Sequence, residues 1–131
     1  MKKKILTEMA KDVVNEQTLH DVISPFLVKV LDAAFKKVKG PGKKIESKPS
    51  AFKFAAVYGD LVVYSRSDLE VKADVTLMIA REVETIMAIV DISRPDWGHG
   101  KRSKTLTWKF VTDEKKMVDD IAKEIQQAID V

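Results

Sequence analysis

"LEVKADVTLMIA", Leu69 to Ala80, alternates without a break: Leu69, Val71, Ala73, Val75, Leu77 and Ile79 fall on one side of an extended chain. A helix repeats its apolar residues every three or four positions, so a period of two predicts a half-buried strand. The stretch that follows, "VETIMAIVDIS" from Val83 to Ser93, alternates in the same way. The two therefore form a hairpin across "AREV". Pairing Ile79 with Glu84 sets Leu77 against Ile86, Val75 against Ala88, Ala73 against Val90 and Val71 against Ile92, all apolar. It also sets Lys72 opposite Asp91 on the other face, an opposite-charge pair worth about 0.2 to 1 kcal/mol. A slip of one residue turns both apolar rows to water, at about 1.5 to 3 kcal/mol per large side chain, so this register is the expected one.

Upstream of this hairpin, "AFKFAAVY" and "LVVYS" read as two strands joined by a Gly59-Asp60 turn, and "SRSD" as a second turn. "KTLTWKFV" is the last strand, with Leu106, Trp108 and Phe110 inward. "GPGKKIESKPS" reads as a loop by its glycine, proline and serine content. Before it, "SPFLVKVLDAAFKKVKGPG" is punctuated as a helix over 24–39, with Ser24 as cap, Pro25 at the first helical position and Gly40-Pro41 as the stop. Its stripe is Phe26, Leu27, Val30, Leu31, Ala34, Phe35 and Val38. Residues 1–23 read as short helical pieces starting at Thr7 and Thr18. Thr112 caps a final helix over 113–131, with Asp113 and Glu114 in its first turn and a stripe of Met117, Val118, Ile121, Ile125, Ala128 and Ile129. The expected fold is α+β, one domain over 1–131: a five-stranded antiparallel meander within 51–112, with an N-terminal helical region and a C-terminal helix packed on one face.

Composition narrows the function classes. The 131 residues are 45% hydrophobic, enough for an ordinary core, and contain no cysteine, which removes disulfides, thiolate metal sites and cysteine nucleophiles. No apolar run reaches the length of a membrane span, and the basic start "MKKKIL" is broken by Thr7, Glu8, Lys11 and Asp12, unlike a secretion signal. The expectation is a cytoplasmic protein without a cofactor or metal. His20 and His99 are the only imidazoles, and Asp96 with His99 supplies two ligands where catalytic zinc takes three.

Net charge is +3, but residues 36–53 sum to +6 and residues 94–109 to +4, leaving −7 for the rest. In an up-and-down meander the connections alternate between the two ends of the sheet, so the lysine-rich loop before the first strand and the "DWGHGKRSK" loop after the fourth are expected at one end. That end would gather Lys43, Lys44, Lys48, Arg94, Lys101, Arg102 and Lys104, with Trp97 and His99 as flat faces for stacking, into a polyanion-binding site. Lysine-rich loops also serve simply to solubilise, which is the plainer reading. "GHGKRS" is not a phosphate-binding P-loop, because Pro95 stands where its first glycine is needed and a strand rather than a helix follows. Asp96 and His99 with Ser93 or Ser103 make a poor triad: neighbours on a loop with two glycines lack the rigid support that orientation needs. No catalytic residue is assigned. Trp108 is read as core.

The outward sheet face carries Val62, Tyr64, Met78, Met87 and Ile89, more apolar than a solvated face requires. Residues 8–23 are candidates to cover it, through Met9, Val13, Val14, Leu19, Val22 and Ile23; otherwise it is an interface for a partner or a second copy. The sequence thus points to a small non-enzymatic binding or accessory protein that contacts nucleic acid or another polyanion through the basic loops 36–53 and 94–109. The alternative is a protein-protein interaction or adaptor module, a homo-oligomer through the outer face. A hydrolase using the 96–103 loop is a remote third reading.

Overall fold

Leu69–Ala80 is the central strand of a five-stranded antiparallel sheet. The computed structural model describes residues 16–47, 55–65, 69–80, 83–98 and 100–130. In chain order these form helix α1 (Glu16–Val38), strands β1 (Gly42–Ser47), β2 (Ala55–Ser65), β3 (Leu69–Ala80), β4 (Thr85–Ser93) and β5 (Lys101–Lys109), and helix α2 (Glu114–Asp130). The strands lie in the order β1-β2-β3-β4-β5, each antiparallel to the next. Both helices pack side by side on one face, closing an α+β core of two layers.

The apolar row of β3 (Val71, Ala73, Val75, Leu77, Ile79) faces the helices, as do Val57, Leu61 and Val63 of β2 and Ile86, Ala88, Val90 and Ile92 of β4. Leu27, Val30, Leu31, Ala34, Phe35 and Val38 of α1 and Met117, Val118, Ile121, Ile125 and Ala128 of α2 meet them. The helical and strand periods thus bury most of the residues they predict, with Phe26, Leu69, Leu106 and Ile129 only partly covered. At the open edge of the sheet, Trp108 of β5 is buried and its indole N–H donates to Asp120 of α2 at 2.9 Å.

Five expectations need correction. Gly59-Asp60 is not a turn: β2 runs straight through it, paired with β1 on one side and β3 on the other. A glycine inside a strand marks a close approach of another element, and a Cβ on Gly59 would lie 2.4 Å from Leu31 Cδ2 and 2.8 Å from Phe35 Cε2. "GKKIES" is not a loop but β1, an edge strand with Ile45 as its single apolar residue, too short and polar to show alternation. The two errors cancel in strand count and in the meander order, and change only which residues form the first two strands.

The β3–β4 register differs by two residues from the expected one. Ile79 pairs with Ile86, Leu77 with Ala88, Val75 with Val90 and Ala73 with Ile92, so Lys72 faces Ser93 and Asp74 faces Asp91. A slip of two keeps every residue on its face, so the alternation cannot detect it. Glu84, at φ 50°, closes the hairpin in the left-handed region, and its carbonyl accepts from the Phe110 N–H at 2.9 Å.

The helix ends differ as well. Asp113, not Thr112, caps α2: its carboxylate accepts from the Lys115 N–H at 2.9 Å. Helix α1 starts before Ser24 and passes through Pro25, whose ring nitrogen has no hydrogen for the carbonyl four residues back, a defect of about 3 kcal/mol in a helix interior. Ile23 and Leu27, both fully buried, hold the two sides of that defect to one core. Pro25 itself is exposed. Pro25→Ala is therefore expected to stabilise the protein by about 1 to 3 kcal/mol in urea unfolding; no gain would put the helix start at Ser24 after all. Residues 1–15, including the proposed helical piece at Thr7, lie outside the described residues.

Candidate functional site

The loop from Arg94 to Gly100 is built around a buried cation. Arg94 is 1% exposed; its Nε and Nη2 donate to the two carboxylate oxygens of Asp96 at 2.8 and 2.6 Å, and its Nη1 donates to the Ala128 carbonyl of α2 at 2.5 Å. The planar fork of an arginine suits a bidentate carboxylate. It thereby ties the β4–β5 loop to the end of α2. Among the expected polyanion ligands Arg94 is thus a structural residue, its guanidinium turned inward and fully engaged.

This tie places Trp97 half-buried against the core edge. The Arg102 guanidinium lies over the indole ring, 4.2 Å from its centroid, with Arg94 at 5.5 Å. Arg102 and Lys104 stand two apart on β5, hence on one face, and that face turns toward α2. Between them and the helix opens a cleft of about 490 Å³, with Val90 and Ile92 in its floor, Trp97 at one end and Glu124, Gln127 and Asp130 on the helical side. Lys104 spans it to Glu124 at 2.8 Å. Among the described residues Arg102 has no carboxylate partner. The volume is within the range of small-ligand clefts.

β5 is also an open edge, paired only with β4. The ladder is bracketed by Arg94 N–H to the Gly100 carbonyl and Phe110 N–H to the Glu84 carbonyl. In an antiparallel pair hydrogen-bonded positions alternate, so Arg102, Lys104, Leu106 and Trp108 bond to β4. The N–H and C=O groups of Lys101, Ser103, Thr105, Thr107 and Lys109 point away from the sheet.

The other basic segment does not join this site. Lys43 and Arg102 fall in one transverse row, through Leu61, Ala73 and Ile92, but at opposite edges. Four strand spacings, about 19 Å, separate them. The expected convergence fails because β1 occupies what was read as a loop and carries its lysines along the far edge. Those lysines also have partners: Lys36 and Lys43 with Asp32 at 3.0 and 4.0 Å, Lys37 with Asp119, and Lys44 with Glu46 at 2.6 Å. The Glu46 carboxylate holds the Lys44 ammonium charged, raising its pKa. Lys101 lies on the outer face, 3.9 Å from Asp91. Lys48 and His99 lie outside the described residues.

On the outer face, Val62, Met78, Met87 and Ile89 are half-buried and Tyr64 is 58% exposed. No described element covers them, since both helices pack on the opposite face and Ile23 belongs to the core beneath α1. The register adds a feature that reading strands singly misses: Asp60, Asp74 and Asp91 stand side by side across β2, β3 and β4. Burial, then a hydrogen bond with Asp60 and the charges of Asp60 and Asp91, push the Asp74 carboxyl above its ordinary pKa, against the pull of Lys72 at 3.7 Å. A carboxyl whose pKa is raised by folding stabilises in its protonated form and loses that contribution as pH rises through its folded value. Asp74→Asn is therefore expected to be more stable than the parent at pH 7, with the gap closing as pH falls toward 4; a gap constant with pH would refute this assignment.

Sequence reasoning had no signal for the helical wall of the cleft beyond the spacing of Glu124, Gln127 and Ala128, which puts them on one helical face. Among the described residues no group of three His, Asp or Glu side chains is placed to hold a metal ion, and no helix is long and apolar enough to cross a membrane. No protein-family model matches the chain, and no curated protein is similar to it.

Proposed function

We propose that this chain is a non-enzymatic binding module that engages an anionic partner along β5 and the Trp97 cleft. One observation carries the reading: β5 holds Lys101, Arg102, Lys104 and Lys109 without an acidic residue, on an exposed sheet edge, beside an arginine that lies on a tryptophan and lacks a carboxylate partner among the described residues. The reading is narrower than the two-loop expectation, because the lysines of β1 lie along the opposite sheet edge, about 19 Å from Arg102. The hydrolase reading loses support, since the Ser103 hydroxyl turns to the opposite face, where it donates to Asp91.

Fluorescence anisotropy with labelled oligothymidine and with polyglutamate tests it. Four contacts to a single strand predict a slope of roughly −3 in log affinity against log salt. Removing charge at Lys101, Arg102 and Lys109 is expected to abolish binding, and the same change at Lys43 and Lys44 to leave it intact. Absence of binding to both polymers at low salt, or dependence on Lys43 and Lys44 instead, would end the proposal.

The uncovered outer face supports a second reading, a partner or second copy seated over Met78, Met87 and Ile89. The aspartate row speaks against a copy stacked face to face, because like charges brought together in a drying interface are costly. Sedimentation of the parent and Met87→Lys tests this: a dimer that the substitution dissociates supports the reading, and a monomer at high concentration removes it.

A further inference from the structure

We infer that the partner of β5 is an extended acidic peptide, which adds to the open edge as a sixth antiparallel strand. The inference rests on the reading of β5 as the binding edge and names what binds there. Protein edges are ordinarily blunted by charged side chains, a proline, a bulge, a short strand or a covering loop. Among the described residues β5 has only the first of these: it keeps nine consecutive pairs with β4, contains no proline and lies open along its length. Its outward N–H and C=O groups, from Lys101 to Lys109, form a ladder template about 30 Å long.

The side chains beside that template select the occupant. Antiparallel β5–β5 pairing centred on Thr105 sets Lys101 against Lys109 at both ends of the contact, a like-charge arrangement that disfavours a second copy. An acidic strand reverses the sign. Its inward residues stand next to Arg102, Lys104 and Leu106, so one carboxylate meets Arg102, a second takes Lys104 from its pairing with Glu124, and an apolar side chain follows. Edge lysines deter indiscriminate association; here the same charges set the specificity. Backbone hydrogen bonds supply affinity in such complexes and alternate side chains supply discrimination. A nucleic acid has no peptide ladder to offer, and would use the cations alone.

The test is a blocked peptide of alternating glutamate and valine, matched in length to β5, against oligothymidine. Thr105→Pro is the variant: residue 105 is exposed and its N–H points outward, so proline there removes a hydrogen that the β4–β5 ladder does not use. Expected are an unchanged fold, roughly a tenfold or greater loss of peptide affinity and unchanged electrostatic attraction for oligothymidine. In the parent, hydrogen exchange at Ser103, Thr105 and Thr107 slows when peptide saturates. Should Thr105→Pro not fold, the same peptide N-methylated at alternate residues replaces it, and it is expected not to bind. Peptide binding that leaves those three amides unprotected, or that N-methylation does not weaken, overturns the inference. If oligothymidine binds and the peptide does not, the sixth strand is wrong and the anion-binding edge stands; if neither binds, both fall.

Discussion

Gly59→Val is expected to lower stability by about 3 kcal/mol or more, seen as a lower urea midpoint with an unchanged slope. The α1 side chains rest directly on this strand: a Cβ at residue 59 would sit 2.4 Å from Leu31 Cδ2 and 2.8 and 2.9 Å from the Phe35 ring. Real Cβ atoms do not approach so closely, so α1 must lift or Phe35 must leave its rotamer. Phe35 is fully buried and cannot do so without disturbing the core around it. Gly59→Ala, with one carbon to accommodate, is expected to cost about 1 to 2 kcal/mol. Combining Gly59→Val with Leu31→Ala should recover part of the loss, because the second change vacates the space that the first needs. A neutral Gly59→Val would mean that the helix does not pack there.

Arg94→Lys is the other large effect, and the informative one because it keeps the charge. A lysine ammonium cannot span both oxygens of Asp96 and the Ala128 carbonyl together, so the loop loses its tie to α2. Breaking a buried pair by removing one partner is strongly destabilising, and a fall in Tm of roughly 10 °C is expected by calorimetry. Tryptophan emission should shift red, since Trp97 depends on the same loop for its shelter. A Tm within about 2 °C of the parent would show that the fork is dispensable.

These two residues also mark where sequence reasoning stopped. Alternation put the β3 and β4 residues on their correct faces, and helical periodicity identified the stripes of α1 and α2, because each depends on local geometry alone. Gly59-Asp60 was misread because turn chemistry and close helix approach demand the same residue, and only packing separates them. β1 stayed hidden because an edge strand with one apolar residue has no period to detect. The site was legible in part. Arg102 and Lys104 share a strand face by spacing, and Trp97 is near them in sequence. Arg94 looked like their equal because formal charge does not reveal that Asp96 and a carbonyl 34 positions away enclose it.

The two helices that cover the sheet come from opposite ends of the chain, and they touch: Lys37 of α1 pairs with Asp119 of α2 across 82 positions. Contacts of such separation slow folding, because the loop between them must close before they contribute. During synthesis α1 precedes the strands and covers β1 and β2, while the apolar rows of β4 and β5 stay bare until the 17 residues of α2 follow them. A chain truncated before Glu114 therefore leaves the α2 half of the sheet uncovered, a sticky half-shell and a substrate for chaperones.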